Sequence, residues 1–499
     1  MRVLMVYCAS PEMGPEQAGG IAGYVRELAL ELTALGHHVG ILSSGLVYQP
    51  AGTGLEPFWR AMEPYRGIDR LEVVNSPSLA PALWNFARAD QDGTSAALDA
   101  VLSDLVRSWN ADVVHVHSLE GLAGSCLGAC RSVGSRVVMS LHNHHPFCPQ
   151  VYLMRGRRQP CFDYQGGCAC IGCEAGIDIE HERRRRAGEV EGAGPSIPPP
   201  AMPPIQRFAD DGSPAPETAE LWRRGHKLWR PLENEPPGRD AARDVRNSFG
   251  IRRQVMVEAL SSCDRVLAVS DFVRRLAVSM GVSSEKVITM PIGSRSAERF
   301  KTGQPGRGSE GGLLRLVFLG FNNYYKGLAM LVDALGLLEP AHRGRVHLAA
   351  YGPGCPSIRE RAEAIRPRLG GLELGGAYRP DDIPDLLSGR DVGVVPSVWW
   401  DNGPQTVMEF QSFGLPVLGA NLGGIPDRVV DGVNGLLFRG NDRHDAARQI
   451  RRLLTEPGLV GLLRAGVRPG PTLAEHAAEV VRLYEQTLQS PSHAEAGQN

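Results

Sequence analysis

Two acids stand eight positions apart in the run Pro396-Ser397-Val398-Trp399-Trp400-Asp401-Asn402-Gly403-Pro404, which continues to Glu409. The pattern reads as a strand end, a loop carrying Asp401 and a helix carrying Glu409 about two turns further on. A carboxylate accepts two hydroxyl hydrogen bonds at once, so a pair so placed suits the vicinal diols of a ribose and of a pyranose. Lys326 follows an apolar strand and loop and precedes Gly327 and a helix. A point cation beside a helix N-terminus is a setting for phosphate, where it would neutralise a departing diphosphate. Gly19 and Gly20 join the first strand to the first helix, and without side chains their backbone N–H groups can approach a phosphate closely. His142 follows the strand Val137–Leu141, and Cys148, Cys161, Cys168, Cys170 and Cys173 crowd into 26 residues.

Each group has a plainer reading. Asp401 alone could serve a helix N-terminus, and Lys326 could be a surface lysine at a helix start. A strand histidine is more often a satisfied polar residue than a catalyst, which covers His115, His117, His144 and His145. Only Cys170 and Cys173 have metal-hairpin spacing, so the cluster leaves open a closed structural zinc or iron–sulfur site, reduced thiols, or redox chemistry.

The elements that must position these residues alternate strand and helix. Arg2–Tyr7, His38–Ser43, Val113–His117, Arg136–Leu141 and Arg265–Val269 read as buried strands, with helices over Tyr24–Leu35 and Leu122–Arg131. A second series covers Leu314–Gly320, Val346–Tyr351, Leu372–Leu374, Val392–Val395 and Val417–Gly419, and a helix over Leu473–Leu488 closes it. The expected architecture is α/β, with two Rossmann-like β/α/β domains facing across a cleft. Residues 1–180 form the N-terminal domain with a cysteine-rich insert at 148–173, and 251–300 complete it. Residues 312–472 form the C-terminal domain, 473–489 a final helix and 490–499 a tail. Eleven of the 37 prolines lie between Pro195 and Pro237, so 181–250 is expected to be a mobile insertion.

At 499 residues the chain has room for two or three domains. Its 53 basic and 55 acidic residues give a net charge of -2, which supplies no overall field for nucleic acid. No apolar run reaches the roughly 18 residues of a spanning helix, and the opening strand is too short for a signal segment. A cytoplasmic placement is the expectation. The run Arg183–Arg186 leaves two readings, a solvated charge run or a patch for anionic lipid headgroups that would add contact with the inner membrane face.

The acid, seven residues and Glu, followed by Gly414-Leu415-Pro416-Val417 and the turn Gly423-Gly424-Ile425-Pro426, resemble the retaining family-4 glycosyltransferases of GT-B fold, glycosyl transferases group 1. Further blocks extend the resemblance over most of the chain. They are Asp382-Ile383-Pro384-Asp385-Leu386-Leu387 before Asp391-Val392, Val429 through Asp431-Gly432 to Gly435-Leu436, and Asp264-Arg265-Val266 leading to Ser270.

The resemblance implies a transferase that moves a sugar from a nucleoside-diphosphate sugar to a glycan, lipid-linked or other hydroxyl acceptor, with no catalytic metal. It implies that Glu409 binds the ribose diol, Asp401 the transferred sugar, Lys326 the diphosphate, the Gly19-Gly20 loop the donor phosphate and acceptor, and His142 the region of the anomeric carbon. Three positions depart from the family's habit: Asp401 stands where Glu is usual, Phe321 where an Arg is common, and Asn143 where Asp is common. Two other functions fit the architecture, a nucleotide-sugar epimerase and a catalytically degenerate metal-bearing scaffold.

Overall fold

The computed structural model describes residues 1–13, 15–50, 54–156, 159–161, 163–173, 177–191, 194, 248–301, 312–320, 324–354 and 356–490. Most of the proline-rich insertion, together with Phe321 and the tail from 491, lies outside the described residues. The chain divides into two compact units, whose described residues fall within 1–194, 248–293 and 473–490 for the first and within 294–472 for the second.

In the N-terminal unit the strands are β1 (Arg2–Val6), β2 (His38–Ser44), β3 (Phe58–Tyr65), β4 (Ile68–Val74), β5 (Val113–Val116), β6 (Arg136–Leu141), the short pair β7 (Met154–Arg155) and β8 (Gln159–Pro160), β9 (Arg265–Ala268) and β10 (Val287–Thr289). Eight of them form one sheet in the order β10-β9-β6-β5-β1-β2-β4-β3. All neighbours in it are parallel except β3 and β4. The central strands are apolar and buried along nearly their whole length, as a parallel sheet covered on both faces requires. The antiparallel edge goes beyond the all-parallel sheet that the sequence suggests. Its two strands meet at Arg66-Gly67, both at positive φ (50° and 84°), which is the backbone of a tight hairpin turn.

The second unit contains β11 (Leu314–Leu319), β12 (Val346–Tyr351), β13 (Gly371–Leu374), β14 (Val392–Val395), β15 (Val417–Asn421) and β16 (Gly435–Arg439). They lie in the order β13-β12-β11-β14-β15-β16, all parallel. That is the doubly wound order, in which the direction of winding reverses between the first and fourth strands. In sheets of this order ligands bind at the carboxyl ends of the strands beside that reversal.

The helix Leu473–Gln489 follows the second unit in sequence but belongs to the first. Its His476 meets Tyr24 at 2.7 Å and its Tyr484 meets His115 at 2.5 Å. No helix among the described residues is long and apolar enough to cross a membrane.

Part of the arginine run packs against the protein itself. It ends the helix Ile179–Arg186, whose N-cap Asp178 accepts from the His181 amide. Arg186 donates to the carbonyls of Gly45 and Ala80 and lies over the Trp84 ring, while Arg183 donates to those of Leu55 and Asn75. Glu182 takes both Arg185 and Arg186, and Arg184 pairs with Glu180. The guanidiniums of Arg183 and Arg186 clamp this helix onto the sheet's loops, while Arg184 stays exposed.

Candidate functional site

Lys326 leaves the loop after β11, and Asp401 leaves the loop after β14, so the two arrive together at the switch point of the second sheet. Lys326 Nζ lies 3.0 Å from Asp401 Oδ2, which also accepts from Ser397 Oγ at 3.2 Å. The carboxylate is buried, and about a third of the lysine side chain faces solvent. The cation also lies 5.6 Å from the Trp399 ring centroid.

Backbone contacts fix both residues. Gly327 has a positive φ of 78°, and a side chain on it would run into the carbonyl of Pro396. The Val398 amide then donates to the Tyr325 carbonyl at 2.9 Å, which ties the lysine's turn to the acid's loop. On the other side Gly423, at φ 60°, packs its Cα against the Asp401 backbone, and the Gly424 amide donates to the Asp401 carbonyl at 2.7 Å. The Gly-Gly-Ile-Pro turn is therefore the seat of Asp401, needed because only glycine permits both the conformation and the approach.

Glu409 projects from the helix Gln405–Ser412. Its Oε2 is buried without a hydrogen-bond partner. Burial pushes its carboxyl up to about 7, with Lys326 opposing the shift. Tyr378, in the loop after β13, is pushed upward by burial and by the Glu409 carboxylate, so its phenol stays protonated beside the acid. The sequence reading missed Tyr378 and Ser397; Ser397 could have been found four positions before Asp401 in the same loop.

His142 and the Gly19-Gly20 loop lie in the first unit. Gly19 has φ 72° and interrupts the helix Pro15–Ala34, so the regular helix runs on from Gly20. His142 Nε2 lies 3.0 Å from His117 Nδ1, and Tyr24 packs against both rings. His115 bonds Ser140 and Tyr484, completing with His476 a set of four histidines of which His142 alone is half-buried. Burial drives all four downward, His142 to about 3 and His476 to about 4. His142 is thus a neutral imidazole, able to orient through a hydrogen bond but carrying no positive charge near neutrality. The loop after it is held by Arg252, which is buried against Asp92 and donates to the His145 carbonyl. Sequence reasoning sets His115 and His117 aside; the structure makes them part of the same cluster.

A cavity of about 490 Å³ opens at the carboxyl ends of β1 and β2 and along the β3–β4 edge. Arg60 pairs with Glu72 there, and Arg70 with Glu12, beside Ser10 and Ser44. Cys148, Cys168 and Cys170 of the cluster are free thiols. Cys173 Sγ accepts from the Gly156 amide at 3.1 Å, and burial, with Cys148 adding, raises the Cys170 thiol. Among the described residues no group of three or more His, Cys, Asp or Glu side chains is placed to hold a metal ion. The structural zinc or iron–sulfur site expected at Cys148, Cys161, Cys168, Cys170 and Cys173 stays a proposal, and Cys148, Cys161 and Cys173 all lie near enough to Cys170 to push its thiol further up.

Two doubly wound sheets, the first parallel but for its β3–β4 edge and the second wholly parallel, are the architecture of the GT-B class of glycosyltransferases. Residues 19–167 match the glycosyl transferase 4-like domain and residues 314–456 the glycosyl transferases group 1 family, and the chain belongs to that family. It is 31% identical over 199 residues to a D-inositol 3-phosphate glycosyltransferase of Streptomyces bingchenggensis, a match covering 38% of this chain and 42% of that protein. The chain thus spans less than half the length of that curated relative. Sucrose-phosphate synthase from Thermosynechococcus elongatus shares the fold with a TM-score of 0.58 at 16% identity, covering 97% of this chain and 98% of that one. A trehalose-6-phosphate protein from E. coli bound with UDP-2-fluoro glucose does so with a TM-score of 0.56 at 13% identity, covering 98% and 100%.

Proposed function

We propose that the protein is a retaining glycosyltransferase that moves a sugar from a nucleoside-diphosphate sugar to an acceptor hydroxyl in the assembly of a polysaccharide, glycolipid or other glycoconjugate. One observation carries the reading: Lys326, Asp401 and the unpartnered Glu409 Oε2 belong to the loops and helix that leave the switch point of one doubly wound sheet. The solved neighbour bound with UDP-2-fluoro glucose supports a nucleotide sugar as donor.

Lys326 then faces the diphosphate, where its charge opposes the negative charge that grows as the glycosidic bond breaks. The helix Leu328–Gly336 begins just after it and adds backbone donors. Glu409 accepts from the ribose hydroxyls, and Asp401 holds hydroxyls of the transferred sugar. Asp401 is one methylene shorter than the Glu usual at its position, which moves the point of contact and bears on sugar choice. The C–O bond to the diphosphate breaks, the acceptor oxygen bonds the anomeric carbon on the same face, and the acceptor proton passes to the departing phosphate. Neutral His142 orients the sugar, and the Gly19-Gly20 loop offers backbone N–H groups. Such a step relies on positioning and fixed charge, supplied by side chains without a metal.

The charge-balanced cavity in the first unit fits the hydroxyl-bearing part of an acceptor. The test is a calorimetric screen of the full chain against UDP-, ADP- and GDP-sugars, followed by transfer assays with NMR of the product's anomeric carbon. Transfer with retained configuration supports the reading. Inverted product overturns the mechanism, donor epimerisation overturns the reaction class, and binding without turnover identifies a scaffold.

A further inference from the structure

Asn402 follows Asp401 in the loop after β14, and it is only 4% exposed. Neither its Nδ2 nor its Oδ1 has a hydrogen-bond partner. Leaving a buried polar group unsatisfied is costly, and native proteins seldom leave both ends of an amide so. Other groups of the surrounding loop do have partners. Asp401 takes Lys326 and Ser397, the Gly424 amide donates to the Asp401 carbonyl, and Asn441 Nδ2 donates to the Val398 carbonyl. The buried polar atoms of this segment that lack a partner include both ends of the Asn402 amide and, seven residues on, Glu409 Oε2.

A primary amide offers donors and an acceptor together, which matches a hydroxyl or a pair of vicinal hydroxyls. It is poorly suited to a diphosphate, for which Lys326 supplies the cation, and its orphaned donor and acceptor both gain from a neutral polyol. We propose that the side chain of Asn402 hydrogen-bonds the transferred sugar and helps to determine which sugar is carried. The inference rests on the donor reading above and adds to it a second contact with the sugar, a neutral one beside the Asp401 carboxylate. A site built to hydrogen-bond a hydroxyl discriminates strongly against a sugar that lacks it or points it elsewhere, because the buried partner is then left unpaired.

The test titrates the full-length protein and its Asn402→Ala and Asn402→Ser variants with UDP, UDP-glucose and UDP-galactose, and with the ADP and GDP counterparts, by calorimetry. For whichever nucleotide the wild type binds, the sugar-bearing form should weaken about tenfold or more in Asn402→Ala, while the bare diphosphate changes less than about twofold. The ratio between epimeric donors should narrow in the same variant. Thermal melting of the unliganded protein adds an independent readout: a purely structural amide predicts a lower melting temperature, whereas removal of an unsatisfied one predicts an equal or higher one. Should Asn402→Ala fail to fold, that result counts against the proposal, and Asn402→Ser, smaller and still polar, decides it. Equal weakening of diphosphate and nucleotide sugar, or none, overturns the inference while leaving the donor reading standing. A wild type that binds no nucleotide sugar overturns both.

Discussion

The ammonium of Lys326 and the carboxylate of Asp401 meet at 3.0 Å across 75 positions of sequence, joined because β11 and β14 are neighbours in the sheet. The pair leaves the cation partly solvent-facing and the acid buried, so the acid steadies a lysine that is still open to a ligand. Removing either partner should therefore act on the reaction more than on the fold. Lys326→Ala is expected to lower kcat/KM by about 10²–10³-fold, the range for losing one preorganised electrostatic contact. Steady-state kinetics beside a thermal melt check it, and a variant of unchanged kcat/KM would remove Lys326 from the diphosphate site.

Glu409 sets a pH dependence. Its folded carboxyl titrates at about 7, above the ordinary range, because burial penalises the charged form. An ionised carboxylate accepts from both ribose hydroxyls, whereas the protonated acid has one fewer acceptor position, so nucleoside-diphosphate affinity should rise between about pH 6 and pH 8. Glu409→Gln should bind weakly and flatly across that range. The same shift bears on stability: the folded acid holds its proton above the pH where the unfolded acid loses it, so stability falls as pH rises from about 4.5 to 7. Glu409→Gln should thus melt higher than wild type at about pH 8 and show a smaller gain at about pH 5. Calorimetry and melting at the two ends of the range decide both statements.

How much of this is legible in the sequence depends on how local the determinants are. Strands buried on both faces announce themselves as apolar runs, and β6, β12 and β14 begin and end where their residues suggest. Lys326, Asp401 and Glu409 sit in short motifs whose flanking glycines encode their own contacts. The arginine run escapes a local reading because Arg186 places its guanidinium on carbonyls 141 and 106 positions away, a distance that no local pattern carries. His115 likewise gains its partner 369 positions downstream. An amphipathic helix such as Leu473–Gln489 shows that it must pack, but its periodicity does not say on which sheet. The β3–β4 hairpin does leave a signal, in the Arg66-Gly67 pair between its two strands.

Two glycines near the site are spacers, and substituting them should be costly. Gly327 and Gly423 both have positive φ and both touch backbone of the Pro396–Asp401 loop. Backbone cannot swing aside as a side-chain tip does, so Gly327→Ala and Gly423→Ala should each destabilise the protein by about 1–3 kcal/mol through strain and overpacking. They should also displace Lys326 and Asp401 respectively and weaken donor binding. Gly376 lies in open space, so Gly376→Ala serves as the control and should be nearly silent. Urea melts of the three variants provide the comparison, and a silent Gly423→Ala would mean that the turn does not seat Asp401.

The histidine cluster makes the N-terminal unit sensitive to acid. His115, His117, His142 and His476 are held neutral by burial, so their folded proton affinities lie below those of the unfolded chain. Between about pH 6.5 and pH 4 the unfolded state binds protons that the folded state refuses, and stability must fall as pH falls. His476→Gln, which keeps a partner for Tyr24 without a titrating ring, should reduce the loss measured between about pH 7.5 and pH 5. Tyr484→Phe should instead cost about 1–3 kcal/mol with little change in the pH slope, because it leaves His115 Nδ1 buried without its hydroxyl. Both effects should be read in urea melts followed by a probe in the N-terminal unit, such as Trp109. If His476→Gln leaves the acid slope unchanged, the C-terminal helix is held by its apolar face alone and the cluster plays no part in the pH response.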